Sequence, residues 1–274
     1  MAYLEFDFQS EYLMGNTQVS IILPDKPWMT KSKEFYESGK KYKVLWLLHG
    51  TFGDHTDWIR KSNIELYACE RDLIVVMPSA LNTNYANWEH FSIGYNMYDF
   101  LTEELMPLVH NWFPASSKRE DNFIAGLSMG GRGTCVYAFN RPELFAGAAV
   151  LSAAPRDIEW DRKVNPDYFK RTQGSIDNRG GLEAYVNSYE NTWKVLDDAV
   201  AKGVDLPKLY FACGTDDMLF NGYQHFKEHA LELGLKAKFE EIPGFKHEWR
   251  FWDLSIEKAL DYYEIQAPNA GNPF

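Results

Sequence analysis

NFIAGLSMGG, residues 122–131, is the stretch from which the rest of the chain can be read. An apolar run, 123–127, enters it, and a helix-compatible segment, 131–139, leaves it. A short apolar run that ends at a glycine-rich turn reads as a strand buried on both faces of a parallel sheet. The G-x-S-x-G pattern around Ser128 is weak by itself, since it arises by chance in roughly one chain in ten of this length. Its placement between a strand and a helix makes it informative. The flanking glycines leave room for a tight turn with a strained serine at its apex. Such an elbow presents the Ser128 hydroxyl above the sheet at a helix N-terminus, where free N–H groups favour negative charge.

Working outward, similar apolar runs recur at 42–50, 73–80, 147–154, 208–214 and 236–244. Segments of helical period lie between them. Tyr98, Leu101, Leu105, Leu108, Val109 and Trp112 make one helical stripe, and Trp249, Trp252, Ile256, Ala259, Leu260 and Tyr263 make another. Pro107 falls inside the first stripe and is expected to kink or break it, at about 3 kcal/mol. At the start, residues 4–13 and 17–23 alternate apolar and polar around turn residues 14–16, which predicts an antiparallel hairpin. These elements predict an α/β fold with a mostly parallel central sheet, helices on both faces and an N-terminal antiparallel hairpin, in a single domain over 1–274. Two stretches break the alternation: 81–96, rich in Asn and aromatics, and 155–181, an irregular insertion after the sixth strand region. Both follow carboxyl ends of predicted strands, where open α/β sheets bind ligands, so the insertion is expected to shape a substrate site. The tail, 265–274, reads as frayed.

Composition narrows the partners. The 274 residues carry 28 Lys and Arg against 39 Asp and Glu, a net charge of −11, with no block of like charge. The basic footprint that phosphate backbones and anionic membrane surfaces require is missing, so neither nucleic acid nor membrane is an expected partner. Cys69, Cys135 and Cys213 are odd in number and far apart, which suits a reducing compartment and neither a disulfide framework nor a metal site. The first residues, MAYLEFDFQSEYL, lack the basic start and apolar core of a leader peptide, and no apolar run reaches the ~18 residues of a membrane span. A cytoplasmic location is the expectation; a leader removed ahead of this chain would leave no trace in it. No sequence feature sets an oligomeric state.

A serine hydroxyl needs a base to take its proton and an acid to orient that base, in the chain order Ser, Asp or Glu, His for this kind of elbow. Downstream of Ser128 stand His225, His229 and His247. His225 and His229 are four apart in a predicted helix, 223–233, with no HExxH and no third ligand, and read as a solvated helix face. His247 follows a strand and precedes the last helix, in a loop able to reach over the sheet, and is the candidate base. The acid should end the preceding strand, where Asp216 and Asp217 are adjacent and only one can face the imidazole. Turn geometry favours Asp217 modestly, because it leaves two residues after Gly214 for the chain to turn. The oxyanion donors are expected from the N–H of Met129 and, in the loop 47–58, most simply that of Thr51, with His49 as a structural residue. No metal or cofactor is required. Tyr85, Trp88, Tyr95 and Trp160, on the two irregular segments, are candidates to wall the site for an aromatic acyl group or a sugar, or else pack their loops down. Cys135 and Cys213 read as buried small apolar residues.

Taken in order, LLHGTFGDHTDW (47–58), GYNMYDFLTEELMPLV (94–109), FIAGLSMGGRGT (123–134), ACGTDDML (212–219) and PGFKHEW (243–249) resemble the esterase D branch of the α/β-hydrolases. The similarity covers roughly 42–252. That branch includes tributyrin, feruloyl and acetyl esterases and S-formylglutathione hydrolases. The resemblance implies an α/β-hydrolase fold and places the acid at the last position of a G-x-x-D pattern, Asp217, and the first oxyanion donor after the HG pair, at Thr51. One departure is clear: S-formylglutathione hydrolases typically carry SGLTC in the oxyanion loop, whereas this chain reads HGTFG. The implied enzyme is a serine carboxylesterase working through an acyl-enzyme. Its expected substrates are feruloyl (cinnamoyl) or acetyl esters of plant polysaccharide fragments, or short-chain esters, as small molecules or oligosaccharides. S-formylglutathione hydrolysis and acyl transfer on the same triad are the alternatives. A non-catalytic binding module is disfavoured by the intact Ser, Asp, His order.

Overall fold

The apolar runs do assemble into one sheet. The computed structural model describes residues 2–164 and 166–270. Its strands are β1 (Ala2–Ser10), β2 (Gly15–Leu23), β3 (Val44–Leu48), β4 (Ile74–Pro78), β5 (Asn87–Trp88), β6 (Tyr95–Asn96), β7 (Asn122–Leu127), β8 (Gly147–Leu151), β9 (Lys208–Gly214) and β10 (Ala237–Ile242). Eight of them form a sheet in the order β1-β2-β4-β3-β7-β8-β9-β10, and β5 and β6 make a separate ribbon. β1 with β2 is the predicted antiparallel hairpin, β2 joins β4 antiparallel, and every pairing from β4 to β10 is parallel. The alternation of β3 shows why its run is apolar throughout. Val44, Trp46 and Leu48 face one core, under helices Met129–Asn140 and Phe220–Glu232, while Leu45 and Leu47 face a second core, under Ile64–Glu70 and Trp249–Tyr262.

Four strand ends lie side by side. Leu48 pairs with Gly126, Leu127 with Leu151 and Leu151 with Ala212, so Thr51, Ser128, Ser152 and Asp217 all follow the same carboxyl edge. The strand order reverses at β3, which has β4 on one side and β7 on the other, and such a reversal is where an open parallel sheet leaves a crevice.

Three expectations need correction. Pro107 does not break its helix: the chain runs through Met97–Asp99, a π-helical stretch Phe100–Leu105 and Met106–Trp112. The π winding shifts the hydrogen-bond register one residue ahead of the proline, so its missing N–H and its ring fall where the ladder is already interrupted. Trp112 ends that stripe in solvent, 67% exposed, edge-on to Phe6. The insertion is helical rather than irregular, with Ile158–Val164, Pro166–Asn178 and Leu182–Val186 closing on a small core of Ile158, Ile176 and Tyr185. Its polar composition hides the period because the inner faces of these helices include polar side chains, Asp161, Thr172 and Ser175, beside Ile158, Ile176 and Tyr185. The tail is tied down as far as it is described: Ile265 is buried, and Asn269 donates its N–H to the Glu70 carbonyl and its side-chain amide to the Cys69 carbonyl and Asp72. The rest of the tail, 271–274, lies outside the described residues. No described helix is long and apolar enough to cross a membrane.

Candidate active site

Ser128 sits at the elbow between β7 and helix Met129–Asn140 with φ 52° and ψ −114°. This left-handed backbone is costly for a residue with a Cβ and is held by its surroundings. The Ser128 N–H donates to the Leu151 carbonyl at 2.8 Å. A Cβ on Gly126 would lie 2.4 Å from the Gly130 backbone, and one on Gly130 would lie 2.4 Å from the Leu48 carbonyl oxygen. The two glycines are therefore what lets the helix start directly against β3 and β7.

The structure brings Ser128, His247 and Asp217 into one hydrogen-bonded line. Ser128 Oγ is 3.0 Å from His247 Nε2, and His247 Nδ1 is 3.0 Å and 3.1 Å from the two carboxylate oxygens of Asp217. A carboxylate only accepts, so Nδ1 carries the proton and Nε2 accepts from the serine hydroxyl. Asp216, the neighbour that the sequence reading set aside, is exposed and accepts the Thr215 hydroxyl at 3.3 Å. Burial pushes the Asp217 carboxyl up, but the hydrogen bond and charge of His247, the Leu219 N–H at 2.8 Å and the Ser152 hydroxyl outweigh it and hold the group below the usual carboxylate range. The loops that carry the pair are laced together. Asp216 N–H donates to the Phe245 carbonyl, Gly244 N–H donates to Thr215 Oγ1, and a Cβ on Gly214 would lie 2.2 Å from the Phe245 carbonyl oxygen.

Thr51 and Met129 line the same cavity as Ser128. Met129 opens its helix, so its N–H has no partner within it. Among the described residues neither the Thr51 nor the Met129 N–H donates to a protein acceptor, whereas the next amide, Phe52, donates to Asn82 Oδ1 at 2.8 Å. His49 is structural, as expected: Nδ1–H donates to the Gly50 carbonyl at 2.7 Å, and Nε2 accepts the Ala80 N–H at 2.9 Å, joining the oxyanion loop to the end of β4. Burial holds its pKa below the ordinary histidine value.

Sequence reading passed over Ser152 and Trp252. Trp252 packs edge-on against the His247 ring at 5.0 Å and donates its indole N–H to Ser152 Oγ at 2.9 Å. Ser152 could have been singled out because it directly follows a strand at the carboxyl edge.

The cavity beside Ser128 holds about 270 Å³ and mixes polar and apolar walls, with Asn82, Asn84, Arg132, Asp157 and Asn221 beside Pro155, Val164, Met218 and Leu219. Of the four loop aromatics proposed to wall it, Trp160 does so. The other three are not among its lining residues and pack their loops down, the second of the two alternatives. Tyr85 is fully buried, with its hydroxyl donating to the His49 carbonyl and its ring against Gly133. Trp88 donates its indole N–H to the Thr83 carbonyl and pairs across the ribbon with Tyr95, which meets Phe91 edge-on. The i, i+4 histidines are not a solvated face either: His225 and His229 stack on tryptophans and bond to Asp157 and Asp197.

Comparison with known proteins agrees with this geometry. The family model Esterase, described as "Putative esterase", matches residues 10–261. The chain is 30% identical to an acetyl esterase of Caldicellulosiruptor saccharolyticus, over 96% of this chain and 98% of that one. Among solved structures it is similar to the Staphylococcus aureus fluorophosphonate-binding serine hydrolase F with substrate bound, and to an S-formylglutathione hydrolase of the same organism. Both are 32% identical with TM-score 0.79, covering 96% of this chain and 98% of theirs. The chain belongs to this esterase family, has its α/β-hydrolase fold and is a carboxylic ester hydrolase.

Proposed function

We propose that the chain is a serine esterase acting on short acyl, chiefly acetyl, esters of polar alcohols such as sugars. The observation that carries the catalytic assignment is the Ser128–His247–Asp217 line, with both contacts at 3.0 Å. In this reading His247 Nε2 takes the hydroxyl proton as Ser128 Oγ bonds to the acyl carbon. The Thr51 and Met129 N–H groups hold the oxyanion, each contributing on the order of 3 kcal/mol. His247 then passes the proton to the departing alcohol, and water repeats the sequence on the acyl-enzyme. Asp217 keeps the imidazole in the Nδ1–H tautomer throughout.

The polar side chains on the cavity walls, Asn82, Asn84, Arg132, Asp157 and Asn221, support a hydrophilic alcohol. Only one of the four candidate aromatics reaches the cavity, which leaves little of the aromatic slot a feruloyl group would need. Two similar proteins carry acetyl esterase and S-formylglutathione hydrolase as names, both for small acyl groups. In this reading the insertion 155–181 shapes the site through Asp157 and Trp160, which line the same cavity as Ser128.

Initial rates on p-nitrophenyl acetate, with Ser128→Ala expected to lose about 10⁴-fold or more in kcat, test the chemistry. Near-normal turnover by that variant overturns the assignment. A panel of acetylated xylo-oligosaccharide, methyl ferulate, tributyrin and S-formylglutathione tests the substrate. A higher kcat/KM on methyl ferulate than on the acetylated oligosaccharide overturns the acetyl reading.

A further inference from the structure

Beyond the Ser128 line, one wall of the cavity is a stack of rings that joins three helices. Trp160, on the insertion helix Ile158–Val164, stacks on His225 of helix Phe220–Glu232 with centroids 4.6 Å apart and planes 11° apart. His225 also stacks on Trp193 of helix Thr192–Ala201 at 5.3 Å and 20°, and Trp193 stacks on His229 at 4.2 Å. His225 Nε2 is 3.1 Å from Asp157 Oδ2. The other oxygen of Asp157 accepts the N–H groups of Glu159 and Trp160, at 3.0 Å and 3.1 Å, and so caps the helix that carries Trp160. Trp160, Asp157 and His225 all border the cavity that contains Ser128.

One imidazole thus holds Trp160 twice, by its ring face and through the start of its helix. A seven-residue helix has no stability of its own, so its place depends on such contacts. His225 is also carried by the helix that directly follows the Asp217 loop, which ties the insertion to the rigid side of the site.

We propose that His225 is a positioning residue that fixes Trp160 as a platform for the alcohol part of an extended ester, a sugar ring or comparable flat apolar face. It acts on substrate affinity and not on the chemistry at Ser128. The proposal rests on the serine-esterase reading above.

Kinetics on methyl acetate, whose alcohol is a single carbon with no ring face to stack, and on an acetylated xylo-oligosaccharide test it. His225→Ala and the milder His225→Gln both remove the stack. Each is expected to raise KM for the oligosaccharide roughly 10-fold while kcat, and kcat/KM on methyl acetate, change less than about threefold. His225→Phe keeps a flat ring in the stack and should recover most of the affinity. Trp160→Ala should raise oligosaccharide KM as His225→Ala does, and the double variant should be no worse than Trp160→Ala alone, since the two act through one contact. An unchanged ratio of the two substrates' KM values in soluble, folded His225→Gln overturns the proposal, as does additivity in the double variant. If the unaltered enzyme hydrolyses neither ester, it is the serine-esterase reading that fails.

Discussion

Replacing Asp217 by Asn changes one atom, and the geometry dictates which way the consequence runs. Oδ1 accepts the Leu219 N–H at 2.8 Å and lies 3.1 Å from His247 Nδ1, which is slightly nearer to Oδ2 at 3.0 Å, the oxygen with no backbone donor. An amide has one acceptor oxygen and one NH₂ donor. If the oxygen stays toward Leu219, the NH₂ faces the Nδ1–H of His247; if the amide flips, the NH₂ faces the Leu219 N–H. Two donors meet in either orientation. The backbone N–H cannot adapt and would cost about 1–3 kcal/mol if left buried without an acceptor, whereas the imidazole can move its proton. The amide therefore settles with its oxygen on Leu219, and His247 takes the Nε2–H tautomer. Nε2 then has no lone pair for the Ser128 proton. The expected loss in kcat is about 10⁴-fold, equivalent to about 5.4 kcal/mol at 1.36 kcal/mol per decade, with little change in KM. The assay is p-nitrophenyl acetate hydrolysis near neutral pH, with Asp216→Asn as the control expected to stay within about threefold. An Asp217→Asn variant within 10-fold of the unaltered enzyme would refute the tautomer argument.

Gly130→Ala places a Cβ within 2.6 Å of two backbone oxygens, those of Leu48 and His49. A loss on the order of 3 kcal/mol and a Tm lower by roughly 6–12 °C are expected by calorimetry, while Gly222→Ala, which meets nothing within 4 Å, should gain up to about 1 kcal/mol. The pKa of His49 is depressed by burial, so below about pH 6.5 the unfolded chain takes up a proton that the folded chain refuses, and stability falls with pH until the folded value is reached. Urea titrations of His49→Gln from pH 6.5 to 5 should show a slope shallower by up to one proton, about 1.36 kcal/mol per pH unit; an unchanged slope would show that His49 is not the group responsible. Burial raises the thiol pKa of Cys135 and Cys213, and Cys69 is partly exposed. A disulfide reagent should titrate one thiol per folded chain and three in denaturant, and rapid reaction of more than one in the folded state would contradict the packing.

Several features of this protein were legible from local patterning. A strand buried on both faces needs an unbroken apolar run, which is why β3, β4, β7 and β8 stand out at 44–48, 74–78, 122–127 and 147–151. The elbow was legible because only small residues fit at positions 126 and 130, and the spacing of five residues records that backbone constraint directly. His247 was the remaining histidine in a strand-end loop after the helical pair was set aside, a matter of order along the chain.

What only the tertiary structure decided concerns which neighbours meet. Turn geometry alone favoured Asp217 over Asp216 only modestly and the family resemblance supplied the choice; its buried contact with His247 comes from the turn after Gly214. Tyr85 and Trp160 read alike as loop aromatics, yet one fills the space above Gly133 and the other borders the cavity. The helices of 155–181 bury polar side chains, Asp161, Thr172 and Ser175, beside Ile158 and Ile176, so an apolar pattern misses them, and Pro107 is accommodated by a π-helical stretch that no propensity encodes. His225 and His229 looked solvated because a four-residue spacing shows that two side chains share a helix face and not what packs against it. Patterning reports how much of a residue must leave water, which is a property of one chain segment. Hydrogen bonds and ring stacks join segments far apart in the chain, 119 residues apart for Ser128 and His247, and the partners in the site are set by the way the sheet brings its strand ends together.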